Sequence, residues 1–313
     1  MQDSITLDCM PVSAEGTRRP IRLKTVQQRL AYAFVAPATI LMVLLLIGPI
    51  IVVAGLSLTD WQFGSSTLNV VGFENYTQLM QDAVFRKSFV NTCIYSFVAV
   101  PLSIIFGLAA ALLIEMGGSL RKFYRAAYFL PVMTCTVAMA ITWQFVLHPG
   151  VGLAAKILPW FGLEGFELLQ EQSTALLTIC GIGIWQNLGF NMILFMAGLA
   201  GVPDELHEAA QLDGAGSHWV RFWLVTWPML SPVTLFVTVI TAVRSFQVFD
   251  TVHVLTKGGP NNASEVLVYT MYTEAFEFFR TGYAAAITMV FLVCVLILTL
   301  IKTRFMEKQV HYQ

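Results

Sequence analysis

Six stretches of this chain are apolar for about twenty residues or more: 30–58, 89–115, 124–147, 175–200, 229–249 and 283–301. That is the length of helix that crosses the roughly 30 Å hydrocarbon core of a bilayer. In hydrocarbon, every backbone N–H and C=O must be bonded internally, so only helices and closed barrels can span it. A barrel would show short segments of about ten residues with alternating polarity, and these runs are continuous instead. The expected fold is therefore an all-α integral membrane protein, a six-span helical bundle. Composition agrees, with 57% hydrophobic and 12% charged residues, where soluble domains carry roughly 25% charged. The expected organisation is a polar tail at 1–29, a membrane domain at 30–305 and a second tail at 306–313. A net charge of -1 gives no general attraction to nucleic acid. Membrane lipid is a partner by composition alone.

One polar island interrupts the apolar pattern. Residues 202–228 include Asp204, Glu205, Glu208 and Asp213, and each ionised carboxylate at bilayer depth would cost about 2.5–3.5 kcal/mol or more. The island is thus a water-exposed loop with local structure. Pro203 suits a first helical turn, and Asp204 and Glu205 behind it favour the positive end of the helix dipole. Gly214 stands where a left-handed residue would stop that helix. Ser217 suits the cap of a second helix that runs into the next apolar stretch. Ala209 and Ala210 leave a small-residue patch that another protein could approach closely.

Glu208-Ala209-Ala210, then Asp213-Gly214-Ala215, then Trp227-Pro228 resemble the EAA loop of permease subunits of binding-protein-dependent ABC importers. Trp227 stands where the family usually has Leu. The resemblance implies the permease-type bundle, with this loop as a cytoplasmic coupling helix docking into a groove on an ATPase subunit. It implies ATPase-coupling roles for Glu208, Ala209, Ala210, Asp213, Gly214 and Ala215. Two further stretches point the same way. VGFENYTQLM resembles the family's first external loop, and FDTVHVLTKGGP followed by YTMYTEAF resembles the carbohydrate-type subgroup. That subgroup imports maltose, lactose, glycerol phosphate and related solutes, which implies a sugar-type solute here. The implied partners are ABC ATPase subunits, a second and different permease subunit, and an external solute-binding protein.

Lys and Arg placement gives an orientation. Arg18, Arg19, Arg22, Lys24, Arg29, Arg121, Lys122, Arg125, Arg221, Lys302, Arg304 and Lys308 fall on one side of a six-span bundle. Only Arg86, Lys87, Lys156, Lys257 and Arg280 fall on the other. The richer side is cytoplasmic, which puts both termini and the acidic island inside the cell. With the resemblance, the expected location is a bacterial inner membrane, multi-pass. The external loops include 148–174, whose mixed content suggests a helix lying at the interface, and the turn signal Gly258-Gly259-Pro260-Asn261.

Two polar sets lie within apolar runs. Gly183, Gln186, Asn187 and Phe190 recur at helical spacing and share a face, with Asn191 beside them. Amides donate and accept, and aromatic rings offer flat apolar faces, a combination that suits sugars. The same amides equally suit hydrogen bonds between helices. Arg244 is the one charge deep in the fifth run, and Ile240 and Gln247 share its face. Intramembrane charges face cavities or partners. Arg244 either lines a solute path, or pairs with a neighbouring subunit, or snorkels outward past Asp250.

The motifs of an enzyme are missing. There is no G-x-x-x-x-G-K-[ST] for nucleotide phosphates; Gly117-Gly118-Ser119 and Gly258-Gly259-Pro260 lack its Lys and hydroxyl. There is no G-x-S-x-G elbow. The five cysteines show no disulfide or CxxC spacing, the five histidines are scattered, and no metal site is expected. The expectation is a pathway-forming subunit with no cofactor of its own, ATP and Mg being held by the partner ATPase. A self-contained secondary transporter or channel is the alternative; a scaffold or a membrane enzyme is weaker still.

Overall fold

The computed structural model describes residues 21–117, 119–162 and 167–309. The first part of the tail with Arg18 and Arg19, Gly118, Phe166 and the last four residues with His311 lie outside the described residues. Residues Met1–Val52 and Val53–Gln313 are separate compact units. Helix α1 (Ile21–Met42) continues through a π-helical turn at Val43–Ile47 into α2 (Gly48–Leu56). Together they supply the first helix long and apolar enough to cross a membrane, Gln27–Leu56.

The regular structure of the second unit is helical, and no strand occurs among the described residues, only an isolated antiparallel bridge between Thr59 and Val70. After α3 (Glu74–Gln81), the carboxylate of Asp82 accepts from the Val84 N–H at 2.8 Å and starts α4 (Ala83–Met116). That bond satisfies one of the orphan donors at the helix start. Next come α5 (Arg121–Met133), α6 (Thr136–Val146), the short α7 (Leu153–Ile157) and α8 (Ala175–Leu199). The polar island forms α9 (Asp204–Leu212) and α10 (His218–Arg221). A π-helical turn at Phe222–Thr226 then joins α10 end to end with α11 (Trp227–Phe246). The chain closes with α12 (Asp250–Leu255), α13 (Leu267–Tyr272), a π-helical turn at Thr273–Glu277 and α14 (Thr281–Gln309).

Among the described residues five helices are long and apolar enough to span, or six when α5 and α6 are taken as one. The third apolar run is not one straight helix. It breaks after Met133, and α5 and α6 meet at 100°. Pro131 removes a backbone donor one turn before the break, and the Thr134 hydroxyl bonds the Pro131 carbonyl at 2.7 Å. Broken helices are tolerated at membrane depth where the freed backbone lines a cavity.

The core is built where α4, α8 and α11 cross. Ala110, Ala111, Ile114, Met192, Phe195, Met196, Leu230 and Val237 pack there. Gly107 lets the first two helices touch: a Cβ at that position would lie 2.6 Å from Asn191 Cβ. Small residues at such crossings are how apolar helices associate when lipid is as greasy as Leu. A second cluster joins Tyr95, Met139, Ile179, Val252, Val266 and Tyr269. α4 also pins the loop after α12. The Asn91 amide donates to the carbonyls of Asn262, Ala263 and Glu265 at 3.2, 3.1 and 2.9 Å. The Thr92 hydroxyl accepts from the Leu267 N–H at 2.9 Å. In that loop Glu265 is buried, and it accepts from the Thr270 hydroxyl at 3.0 Å. Burial pushes its carboxyl up to about 7, against the lowering effect of the Thr270 bond.

Candidate functional site

Two regions collect the residues singled out from sequence. The first is the elbow between α9 and α10. Pro203 caps α9 with φ -64 and ψ 136, and Asp204 and Glu205 occupy the first turn. At the other end Gly214 has φ +95. Its N–H bonds the Gln211 carbonyl at 3.2 Å, and the Ala215 N–H reaches back to the Ala210 carbonyl at 2.9 Å. This paired closure, with a glycine in the left-handed region, satisfies the last carbonyls of the helix. The Ser217 hydroxyl then accepts from the Trp219 N–H and starts α10.

Ala209, Ala210, Asp213, Gly214 and Ala215 line one open pocket of about 550 Å³ with Leu206, Val220, Leu224, Val225, Pro228 and Met229. The α9 side of the pocket presents Leu206, the small residues Ala209, Ala210, Gly214 and Ala215, and Asp213, and the α10–α11 side is apolar throughout. Glu208 does not line it. It stands exposed on α9 and makes no hydrogen bond or ion pair among the described residues. Beside the elbow, Trp219, Phe222, Trp223 and Trp227 form a continuous ring cluster with centroids 5.3–6.1 Å apart. Sequence reasoning passed over this cluster, although Trp219, Trp223 and Trp227 recur every fourth residue.

The second region is a polar cavity of about 390 Å³. Gly183, Gln186 and Asn187 of α8 face Arg244 and Gln247 at the end of α11 across it. Tyr95 of α4, Val132, Thr134 and Thr136 at the α5–α6 break, and Asp250 and Thr251 at the start of α12 complete its wall. The Asn187 amide donates to the Gly183 carbonyl at 2.9 Å, so its own carbonyl oxygen is left over to accept from a ligand. Gln186 reaches the Thr136 hydroxyl at 3.4 Å across the helices. Gly183 is small because the Tyr95 hydroxyl occupies the space a Cβ would take.

Phe190 lies under Arg244, whose guanidinium sits 3.8 Å from the ring centroid. Ile240 is half-buried on α11 and outside the cavity wall. Asn191 also lies elsewhere. It is fully buried at the α4–α8–α11 crossing, where its carbonyl oxygen accepts from the Thr241 hydroxyl at 2.9 Å. Both readings of the amides are present: Gln186 and Asn187 reach the cavity, Gln186 also bonds across helices to Thr136, and Asn191 bonds only between helices. The contribution of Thr134 and Thr136 was not read from sequence. Its signal was present as two hydroxyls flanking Cys135, three residues after Pro131, in an otherwise apolar run.

Among the described residues no group of three His, Cys, Asp or Glu side chains could hold a metal. Cys93, Cys135, Cys180 and Cys294 are free thiols. The cavity offers hydrogen-bonding groups, a cation, a carboxylate and aromatic faces.

A family model described as "Binding-protein-dependent transport system inner membrane component" matches residues 99–309. The chain is 34% identical over 281 residues to a probable ABC transporter permease protein, YurN, of Bacillus subtilis, covering 88% of this chain and 95% of that protein. It is 33% identical over 286 residues to the sn-glycerol-3-phosphate transport system permease protein UgpA of Agrobacterium fabrum, covering 90% and 96%. Among solved structures, it resembles a chain of a bacterial ABC transporter involved in the import of the acidic polysaccharide alginate. That match has a TM-score of 0.76 at 25% identity, over 90% of this chain and 99% of the other.

Proposed function

We propose, because this chain belongs to the family of inner membrane components of binding-protein-dependent transport systems, that it lines one half of a solute path closed by a second, different permease subunit. As an ABC importer permease it works with ATP hydrolysis performed on a separate subunit. The observation that carries the reading is the elbow: a short acidic helix, stopped by Gly214 and fused through α10 to the long α11. ATPase subunits dock on Glu208, Ala209, Ala210, Asp213, Gly214 and Ala215, and ATP and Mg stay with them. When the ATPases close, the elbow moves as a lever and the bundle rocks between outward-open and inward-open states. Both termini and the elbow face the cytoplasm of a bacterial cell, as the distribution of Lys and Arg supports.

The solute is a sugar or a sugar derivative, delivered by an external binding protein. Relatives named for glycerol phosphate and alginate support this class, as does the chemistry of the polar cavity. The substrate path is the strip formed by Gly183, Gln186, Asn187, Arg244 and Gln247 with Phe190 behind Arg244, while Ile240 lies outside the cavity wall and Asn191 is taken up by the helix crossing. Five of these line the cavity, and Phe190 supports Arg244. Binding there needs only modest strength, because a tight site would slow release. This chain performs no catalysis of its own.

The test is reconstitution of the complete importer in proteoliposomes, with labelled sugars and sugar phosphates supplied through the binding protein. The expected result is uptake that requires ATP and ATPase activity that rises with the imported solute. Uptake by this chain alone, driven by an ion gradient without nucleotide, would establish the rival secondary transporter.

A further inference from the structure

We infer that the polar cavity selects an anionic solute: a polyhydroxylated molecule carrying a phosphate or carboxylate, held by the guanidinium of Arg244. The inference rests on reading that cavity as the solute path, and it narrows the substrate class.

Two cavity walls bring formal charge, Arg244 and Asp250. They do not neutralise each other. The ion pairs among the described residues are Arg121–Glu115 and Arg280–Glu274, so Arg244 faces the cavity with no carboxylate partner. Instead the guanidinium carbon lies 3.8 Å from the ring centroid of Phe190. Stacking holds the planar group by one face and leaves its edge N–H donors free. An uncharged sugar can accept from such a group only through single hydroxyl oxygens, one neutral acceptor at a time. A phosphate or carboxylate accepts two parallel bonds from it, which are shorter and roughly twice as strong as neutral ones.

The rest of the wall suits the remainder of such a molecule. Asp250 accepts from hydroxyls and would repel a second anion on its own side, so the ligand's charge is directed to the Arg244 side. The Asn187 side-chain oxygen and the side-chain amide of Gln247, which makes no hydrogen bond among the described residues, serve further hydroxyls. The uncapped start of α6 at Thr136 opens on the same cavity, and its free backbone N–H groups reinforce the positive field. Outward snorkelling of Arg244 is disfavoured by this packing, since the stack on Phe190 turns the head group toward α8.

The test uses the complete importer with its binding protein in proteoliposomes. Glucose and maltose are the neutral solutes, glucose 6-phosphate and glycerol 3-phosphate the phosphate solutes, and glucuronate the carboxylate. The expected result is preferential uptake of a phosphate or of the carboxylate, which also says which oxyanion is read. Arg244→Gln should then raise KM for that solute about tenfold or more (~1.4 kcal/mol) while ATPase subunits still co-purify. Arg244→Lys should restore part of the loss, because charge survives and the planar fork does not. Preferential uptake of glucose or maltose, unchanged in Arg244→Gln, overturns the inference. So does an equal loss of neutral and anionic uptake, which would mark Arg244 as a subunit contact. Refusal of all five solutes by an importer that hydrolyses ATP also counts against it. Uptake that needs no nucleotide counts instead against the permease reading beneath it.

Discussion

The Ala215 N–H lies 2.9 Å from the Ala210 carbonyl, closing the end of the acidic helix over a glycine at φ +95. Only Gly214 makes that closure inexpensive. A Cβ there would meet nothing within 4 Å, so the whole penalty of a substitution is conformational, roughly 1–2 kcal/mol for an L side chain in the left-handed region. Gly214→Ala should therefore loosen the elbow without filling any space. The expected outcome is normal membrane insertion and reduced solute uptake per ATP hydrolysed. An unchanged ratio in proteoliposomes would show that elbow rigidity is irrelevant to coupling.

Glu208 offers a cleaner separation of docking from folding. It is exposed and unbonded among the described residues, so Glu208→Lys should change the stability of the chain by no more than about 0.5 kcal/mol. Reversal of the charge at the proposed docking face should nevertheless lower ATP-driven uptake by about tenfold or more. Thermal melting of the purified subunit and uptake by the reconstituted importer, measured side by side, decide it. Parallel losses in both would mean that Glu208 supports the fold.

The α4–α8–α11 crossing should be intolerant of single atoms. A methyl at Gly107 would sit 2.6 Å from Asn191 Cβ and 3.3 Å from the α8 backbone, so Gly107→Ala must push two helices apart. Overpacking of this kind costs about 1–3 kcal/mol. Thr241→Val removes the donor to Asn191, whose side-chain nitrogen already lacks a partner, and should cost about 0.6–2 kcal/mol. Both effects should appear as lower melting temperatures in detergent, with Gly107→Ala the larger.

The loop after α12 should respond to pH through Glu265. Its folded carboxyl is raised by burial to about 7 from an ordinary 4.5. A raised carboxyl contributes stability that is complete below the unfolded value and is lost as pH climbs through the folded one. The loop should thus loosen between about pH 4.5 and 7, and Glu265→Gln should abolish the dependence while keeping the Thr270 contact. Amide hydrogen exchange across residues 256–266 at pH 5 and pH 8 measures this. Equal protection of the wild-type loop at both values would refute it.

Much of the elbow could be read from its residues, because each feature there is local. Asp204 and Glu205 mark a helix start, Gly214 a left-handed stop and Ser217 a cap, and all three signals act within a few residues. The apolar runs were legible for a similar reason, since length alone decides whether a helix can cross. The break at Thr134 and Cys135 was hidden because two residues barely change the polarity of a twenty-residue window. The fates of Asn187 and Asn191 were also beyond the pattern. They lie one turn apart on α8, and only the approach of α4 at Gly107 decides that Asn191 is enclosed while Asn187 reaches the cavity. Arg244 and Phe190 are fifty-four positions apart in the chain, and nothing short-range announces their stacking.

The uninterrupted run from His218 through the π-helical turn to Phe246 has a consequence for anyone wishing to recombine such transporters. At 1.5 Å per residue it is a strut about 40 Å long, with the elbow at its foot and Arg244 near its tip. Splicing within it would join halves whose angular phase was never matched, and a single inserted residue would swing the tip by about 100°. A seam before the strut, at Gly201 and Val202, would keep the elbow and Arg244 in phase, and would then require the α8 residues Gln186, Asn187 and Phe190 to be matched to the incoming Arg244.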